Sequence, residues 1–118
     1  MNYLLLMYLQ ETPGVGVDVS DEEVLRCALP VVERTSARGQ YLAAGVLRPT
    51  ATATSVRVRE GHRLVTDGPF AETREHLAGY LLVEAKNLDE AIAIAEEHPA
   101  AQSGTVEIRP ILVLPPAQ

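Results

Sequence analysis

The residues with the clearest chemical potential surround the tight turn Asp67-Gly68-Pro69-Phe70. Asp67 and Glu72 could be presented into a cleft, where two carboxylates would be available for acid–base chemistry. The same segment also has local structural roles, because Asp67 can cap the following turn, Gly68 can adopt an unusual backbone angle, and Pro69 can fix φ at the start of a helical turn. Phe70, the only Phe of the chain, would then plug the core. The turn is therefore both a candidate site and a candidate structural anchor.

A second pair of charged residues lies in the last predicted strand, residues 105–114. Glu107 and Arg109 are two residues apart, so their side chains point to the same face of that strand. Facing the carboxylates of the turn, they could complete a polar pocket with a cation for an anionic ligand. A solvated strand face, or a salt bridge across a dimer, would explain the same pair. The predicted ligand-binding residues are Asp67, Phe70, Glu72, Glu107 and Arg109.

His76 follows Glu72 by four residues, so the two side chains would share one face if residues 71–76 formed a helical turn. A Glu–His pair could serve as a base or supply two metal ligands, whereas a surface histidine would need no role at all. Two ligands do not make a zinc site, and the spacing offers no third. The catalytic candidates are therefore Asp67, Glu72 and His76, and no metal site is predicted. No phosphate loop, Rossmann glycine pattern or Cys-x-x-Cys motif occurs, so no cofactor is expected.

The composition is that of one globular domain over residues 1–118. Hydrophobic residues make up 47% of the chain and charged residues 22%, which excludes disordered and coiled-coil compositions. Aromatic residues make up only 4%, so the core must be aliphatic, and stacking on nucleic-acid bases is not expected. The net charge is −6 and no basic run occurs, so a nucleic-acid backbone would be repelled. We predict no nucleic-acid partner.

The single cysteine, Cys27, cannot form an intrachain disulfide, which fits a reducing compartment. The apolar stretch of residues 3–9 has no basic segment before it and no small-residue cleavage site after it. It is also far shorter than the ~20 residues needed to span a bilayer. A cytoplasmic protein with no membrane partner is the expectation.

Hydrophobic periodicity and turn residues predict the order of the elements. Residues 3–9 form an apolar strand, and Ser20 with Glu23 has the form of a capping box at the start of a helix. We expect this helix to end at Gly39, because glycine readily adopts the left-handed conformation that closes a helix. Pro30 should kink the helix or split it in two.

The rest of the chain contains a hairpin and a second strand–helix–strand unit. Glu60-Gly61 is a two-residue link typical of a β-hairpin. The alternation of valine with arginine before it predicts that one face of the hairpin is exposed to water. Asn87 and Glu90 repeat the capping pattern, and Pro99 ends the second helix. The inner stripe of this helix is predicted to be Leu88, Ala91, Ile92 and Ala95. The predicted strands are residues 40–47, 54–59, 62–66, 79–85 and 105–114.

This order, β-α-β, a hairpin, then β-α-β, is the split βαβ pattern of the ferredoxin-like fold with an inserted β-hairpin. The expected architecture is α+β, with an antiparallel sheet and two helices on one face. The open face should alternate with polar residues, but residues 3–9, 81–83 and 111–114 are apolar throughout. Something must therefore cover the second face. A second copy of the same sheet, in a dimeric α/β-barrel-like assembly, is the simplest cover, and the inserted hairpin is the alternative.

Several blocks of the chain resemble the YCII-related family, and more narrowly its branch named for the Asp-Gly-Pro-Phe motif. The motif region reads Val65-Thr66-Asp67-Gly68-Pro69-Phe70-Ala71-Glu72-Thr73. Similar blocks occur in the right order at residues 2–6, 51–59, 77–80, 99–101 and 106–111. Apart from the variable loop and the first helix, the likeness covers nearly the whole chain.

The resemblance implies a dimeric ferredoxin-like α+β fold. It also implies that members of this branch are often encoded beside alternative sigma factors, and that the wider family includes a few enzymes, such as a dehydrochlorinase of aromatic diols. Those enzymes resemble one another in a His–Asp pair. The histidines here are His62, His76 and His98, and none lies in the first helix, where the family's histidine is expected.

Two functions are left open by these observations. One is a small-molecule-binding or enzymatic module with a polar pocket near the Asp-Gly-Pro-Phe turn. The other is a non-catalytic accessory or regulatory protein that works with a partner such as an alternative sigma factor.

Overall fold

The computed structural model describes residues 1–11 and 21–116, which form an α+β domain. Ser20, the predicted cap of the first helix, lies outside the described residues, as does most of the loop that precedes it. The described residues form strands β1 (Asn2–Leu9), β2 (Tyr41–Val46), β3 (Thr54–Arg59), β4 (His62–Asp67), β5 (His76–Glu84) and β6 (Thr105–Pro110), helices α1 (Asp21–Ala37), α2 (Leu88–Glu97) and α3 (Ala100–Ser103), and a 3-10 turn at Thr50–Thr52.

Strands β2, β5, β1 and β6 form an antiparallel sheet in that order, while β3 and β4 pair only with each other. Side chains alternate across β1, so Tyr3, Leu5 and Met7 are buried under the helices. Leu4 and Leu6 point to the opposite face and are half-buried. The architecture is compatible with the ferredoxin-like fold that the element order predicts.

The core lies between the sheet and the helices. Leu5 and Val83 of the sheet are fully buried, and they belong to one apolar cluster with Val31 of α1 and Ile94 of α2. Because both long helices contribute to the same cluster, they cover the same face of the sheet, as predicted.

The C-terminal end of α1 follows the predicted capping chemistry. Gly39 has φ +70°, and the N–H groups of Gly39 and Gln40 donate to the carbonyls of Ser36 and Thr35 at 3.0 Å and 2.9 Å. These two bonds form a Schellman motif, which satisfies the last carbonyls of α1. Helix α1 is one continuous element, so of the two predicted effects of Pro30, a kink or a split, the split does not occur. Pro30 is exposed, and water can therefore satisfy the carbonyl that its missing N–H leaves unpaired.

The second helix is also capped as predicted, but its buried stripe is different. The Asn87 side chain accepts a hydrogen bond from the Glu90 N–H at 3.0 Å. The buried residues are Ala91, Ile94 and Ala95, whereas Leu88 and Ile92 are exposed, so half of the predicted stripe is wrong. Successive helix residues are rotated by about 100°, and the core lies on the side of Ala91 and Ala95, which turns Ile92 outward.

Two segments near the candidate site differ from the expectation. Residues 71–75 form no helical turn, because the chain is already extending toward the ladder in which His76 pairs with Leu9. Strand β6 ends at Pro110 instead of at Leu114. Pro110 lies opposite Tyr3, so residues beyond Ile111 run past the start of β1 and have no strand to pair with there.

The hairpin of β3 and β4, residues 54–67, is called the hairpin arm below. Its turn has positive φ angles at Glu60 (+52°) and Gly61 (+76°), which are typical of a tight hairpin turn. Both faces of the arm are exposed, with Val56 at 62% and Val65 at 53%, so the prediction of a single wet face is wrong. The arm joins neither the sheet nor the core cluster, and its two strands make no extensive contact with the strands of the sheet.

Phe70 is the largest departure from the expectation. Its side chain is 76% exposed and lies outside the core, so the prediction that it plugs the core is wrong. The core cluster also differs from the aliphatic core that the composition predicts, because it contains Tyr3 and Met7 beside the leucine, isoleucine, valine and alanine side chains.

Candidate functional site

The Asp-Gly-Pro-Phe turn is fastened to the base of the hairpin arm. Asp67 is the last residue of β4, and Gly68 has φ +101°, a conformation that strongly favours glycine. The Gly68 N–H donates to the Ala53 carbonyl at 2.6 Å, and the Ser55 hydroxyl donates to the Gly68 carbonyl at 2.8 Å. These bonds direct the chain after Gly68 back along one face of the arm.

A groove of about 280 Å³ lies on that face and is called the motif groove below. Antiparallel pairing places Arg57 opposite Leu64 on its floor, and Phe70 stands beside them. A guanidinium next to an aromatic ring and an aliphatic side chain suits a ligand with an anionic group and an apolar body. The groove is lined by Ser55, Arg57, Leu64, Thr66, Pro69 and Phe70.

Among the residues predicted to bind a ligand, Phe70 lines this groove and the other four lie elsewhere. Asp67 pairs with Thr54, which places both on the opposite face of the arm. Glu72 lies in the exposed segment that leads to β5. The structure therefore does not gather the five residues into one pocket. Arg57, which is not among the predicted ligand-binding residues, does line the groove, and its position opposite Leu64 follows from the hairpin register.

Glu107 and Arg109 lie on β6, on the open face of the sheet. They stand opposite Leu6 and Leu4 of β1, so the charged pair borders the half-buried apolar face. The Arg109 Nη1 atom is 3.8 Å from Glu107 Oε1, and both side chains are exposed. Such an exposed pair contributes little to stability by itself.

His76, the histidine among the catalytic candidates, begins β5 and is half-buried. Its Nδ1 atom is 3.4 Å from the Thr73 hydroxyl, and that hydroxyl donates its hydrogen to the Glu75 carbonyl at 2.5 Å. Because the hydroxyl has only one hydrogen, we assign Nδ1 as the donor in its contact with Thr73. The assignment leaves Nε2 of a neutral His76 with a lone pair that can accept a proton.

The carboxylate that interacts electrostatically with His76 is Glu11, which follows β1. Burial alone would raise the pKa of Glu11, but hydrogen bonds from Thr50 and the nearby His76 together lower it. The Thr50 N–H donates to Glu11 Oε1 at 2.9 Å, and the Thr50 hydroxyl donates to Oε2. Sequence reasoning missed Glu11 because 65 positions separate it from His76. The pairing of Leu9 with His76 in the ladder is what brings the two segments together.

A larger groove of about 410 Å³ lies at the other end of the sheet. Its charged walls include Arg38, Glu84, Lys86 and Glu90, which alternate in sign and are largely exposed. Arg38 is also held by Glu97 in a two-pronged ion pair of 3.0 Å and 2.8 Å, which lowers the pKa of Glu97 despite its partial burial. Arg38 is thus paired with Glu97, and Glu84 pairs with the N-terminal amine, so two of these charges are less available to a ligand and the motif groove is the better candidate site.

Two further findings concern only the described residues. Within residues 1–11 and 21–116, no group of three or more His, Cys, Asp or Glu side chains is placed to hold a metal ion. In the same part of the chain, no helix is both long enough and apolar enough to cross a membrane.

These features define a small α+β domain with an antiparallel sheet, helices on one face and a hairpin arm that carries the candidate groove. The model of the YCII-related domain matches residues 1–115. An uncharacterized protein of Rhizobium meliloti strain 1021 is similar, with 33% identity over 121 aligned positions that cover this whole chain and 98% of that protein. The chain therefore belongs to the YCII-related family.

Proposed function

We propose that this protein is a cytoplasmic homodimer of the Asp-Gly-Pro-Phe branch of the YCII-related family, and that each subunit binds a small molecule in its motif groove. The observation that carries the proposal is that Arg57 and the exposed ring of Phe70 line the same groove. Exposure of an apolar aromatic ring to water is unfavourable in free energy. A bound ligand would remove its apolar face from solvent.

The groove indicates the chemical class of the ligand. Ligand pockets commonly have volumes of about 300–1,000 Å³. A groove of about 280 Å³ therefore suits a metabolite with a single ring or of similar size. Arg57 selects a carboxylate or a phosphate, while Leu64 and Phe70 contact the apolar body of the ligand.

A defined set of probes tests this ligand class. Isothermal titration of the full chain with benzoate, phenylacetate and phenyl phosphate should give saturable binding of at least one probe. Arg57→Gln and Phe70→Ala should each abolish it. Arg59→Gln is the matched control, because Arg59 lies on the same face of β3 but does not line the groove. Binding by none of the probes, or equal loss in the Arg59 variant, would contradict the proposal.

The dimer is proposed to form through the open face of the sheet. Leu4 and Leu6 of β1 stand opposite Leu82 and Tyr80 of β5, and all four are half-buried in the single chain. A continuous apolar surface of this kind in a water-exposed sheet marks an interface. Two copies related by a two-fold axis would cover it in the barrel-like arrangement, with Glu107 and Arg109 at its rim.

Sedimentation tests the dimer. The chain has a mass of 12.8 kDa, so the dimer should sediment at about 25 kDa at micromolar concentration. Leu6→Glu should give a monomer because it places a charge in the interface, whereas Leu88→Glu on α2 should leave the dimer intact. A wild-type monomer at this concentration would rule out the sheet-face dimer.

An enzymatic role for the same module would rest on His76. Its contact with Thr73 involves Nδ1, which leaves Nε2 of a neutral His76 as the atom that would accept a proton from a bound ligand. Conversion of a bound probe that is lost in His76→Gln but kept in Glu72→Gln would support this role. Conversion that survives in His76→Gln would remove His76 from the chemistry.

The second candidate function is that of an accessory protein whose hairpin arm contacts a regulatory partner, such as an alternative sigma factor. The observation in its favour is the exposure of Arg57, Arg59 and Arg63 on the arm. Replacing all three by glutamine should abolish co-purification with the product of a neighbouring gene. Unchanged co-purification would contradict this function.

A further inference from the structure

The hairpin arm carries an apolar face that nothing in the described part of the chain covers. Val56 and Val65 are paired neighbours on this face, with Val58 beyond them, and the three are 62%, 53% and 61% exposed. The motif groove lies on the opposite face, so a ligand there would not cover these valines. An isolated two-stranded hairpin is only marginally stable in water, so a covering surface would also stabilise the arm.

A matching surface is found on the outer side of α1. Leu25 and Leu29 are 50% and 45% exposed, and at about 100° per residue they lie on average about 120° around the helix from the buried Val31 and Thr35. Glu22 and Glu33 occupy the same stripe on either side of the two leucines. We call Glu22, Leu25, Leu29 and Glu33 the outer stripe of α1.

The two surfaces agree in size and charge. The stripe from Glu22 to Glu33 is about 17 Å long at 1.5 Å per residue, and a six-residue strand of the arm is about 20 Å long. The valine face carries Arg63, the register partner of Val58, at its outer end. The stripe ends in carboxylates, and the chain as a whole has a net charge of −6, so a cationic arm is attracted to the body of another copy.

We propose that the valine face of the hairpin arm docks on the outer stripe of α1 of a second copy of this chain. Both surfaces are exposed within one chain, so the contact must form between copies. If the contact is symmetric, a pair of copies contains two such contacts. Because the motif groove lies on the back of the same arm, docking would also hold the groove in a fixed position.

The inference rests on the proposed homodimer but uses a surface separate from the open sheet face. Cysteine cross-linking tests it directly. One full-length protein carries Cys27→Ser with Val58→Cys, and a second, size-tagged protein carries Cys27→Ser with Leu29→Cys. After mixing and mild oxidation, disulfide-linked heterodimers should form about tenfold faster than with Leu88→Cys in place of Leu29→Cys, because docking raises the local thiol concentration. Leu88 is a fair control because it is also 50% exposed.

Two results would overturn the docking proposal. The first is an equal cross-linking rate for Leu29→Cys and Leu88→Cys, which indicates random collision. The second is a product made mainly of two Val58→Cys chains, which indicates that arms pack on arms. In either case the sheet-face dimer is judged separately by the sedimentation of Leu6→Glu.

A second measurement does not depend on cysteine chemistry. The double variant Val56→Thr with Val58→Thr keeps the β-branched shape that suits a strand but makes the surface polar. We expect it to raise the dimer dissociation constant about tenfold or more. Arg63→Glu should weaken the dimer as well, and Glu33→Arg in the same chain should restore it. An unchanged dissociation constant in the double variant, or no rescue by Glu33→Arg, would contradict the proposal.

Discussion

The four-stranded sheet with its helices is called the body of the protein below. The body buries valine and leucine side chains, whereas the hairpin arm exposes them. Val83 and Leu5 in the body are fully buried, whereas Val56 in the arm is 62% exposed. Both regions form antiparallel ladders, although β1 and β5 are paired along both edges and β3 and β4 along only one, so strand pairing does not explain how far the side chains on their faces are exposed. The difference is a second layer, because helices cover one face of the sheet and nothing in the described chain covers the arm. The apolar residues of the arm are therefore available for contacts outside the single chain.

The largest expected effect comes from removing a side chain in the body. Leu5→Ala should lower the free energy of unfolding by about 3 kcal/mol, because it leaves a cavity in a fully buried position. Val56→Ala in the arm should cost less than about 1 kcal/mol, because its methyl groups already contact water. Urea denaturation at sub-micromolar concentration, where association contributes least, measures both. Equal losses would mean that the arm is part of the core in solution.

A smaller contrast is expected between two glycines. A Cβ atom on Gly104 would lie 2.1 Å from the Tyr8 carbonyl oxygen, so Gly104→Ala must displace the β1–β6 end of the sheet. We expect a loss of about 2–4 kcal/mol in unfolding free energy. Gly68 has no atom within 4 Å of such a Cβ, and Gly68→Ala should cost only its backbone strain at φ +101°, about 1–2 kcal/mol. Thermal unfolding of both variants would test this order, and a larger loss at Gly68 would reverse the contrast.

The sequence predicts the body well because its patterns are local. Apolar runs identify the strands, and the predictions that Gly39 ends a helix and Asn87 caps one are confirmed by their hydrogen bonds. The errors arise where contacts with residues distant in the sequence determine which side chains are buried. Which side of α2 is buried depends on the sheet beneath it, so Ile94 and not Ile92 enters the core.

The candidate site is less predictable for the same reason. Turn composition identifies Asp67 and Gly68, but it does not reveal whether the following ring turns inward or outward. Phe70 turns outward, while Tyr3 is the aromatic side chain that is buried in the core cluster. The approach of Glu11 to His76 depends on the register of β1 and β5, which no local pattern encodes.

The smallest expected effect distinguishes a histidine of the body from one of the arm. His98 follows α2 and is half-buried, and its Nδ1 atom accepts a hydrogen bond from the Ala100 N–H at 3.0 Å. Burial lowers the pKa of His98 below the ordinary value of about 6.5. Protonation would also remove the lone pair that accepts this bond. His62 in the arm is exposed and provides the matched control.

A lowered pKa in the folded state means that the unfolded chain takes up the proton first as the pH falls. The contribution of His98 to stability is therefore complete above about pH 6.5 and is lost progressively below it. We expect this loss to be smaller than about 1 kcal/mol, because the group is only half-buried. His98→Asn keeps an acceptor for the Ala100 N–H without titrating, so melting temperatures between about pH 8 and pH 5 should fall less steeply in this variant. A pH dependence that persists in His98→Asn but disappears in His62→Asn would assign the effect to the arm instead of the body.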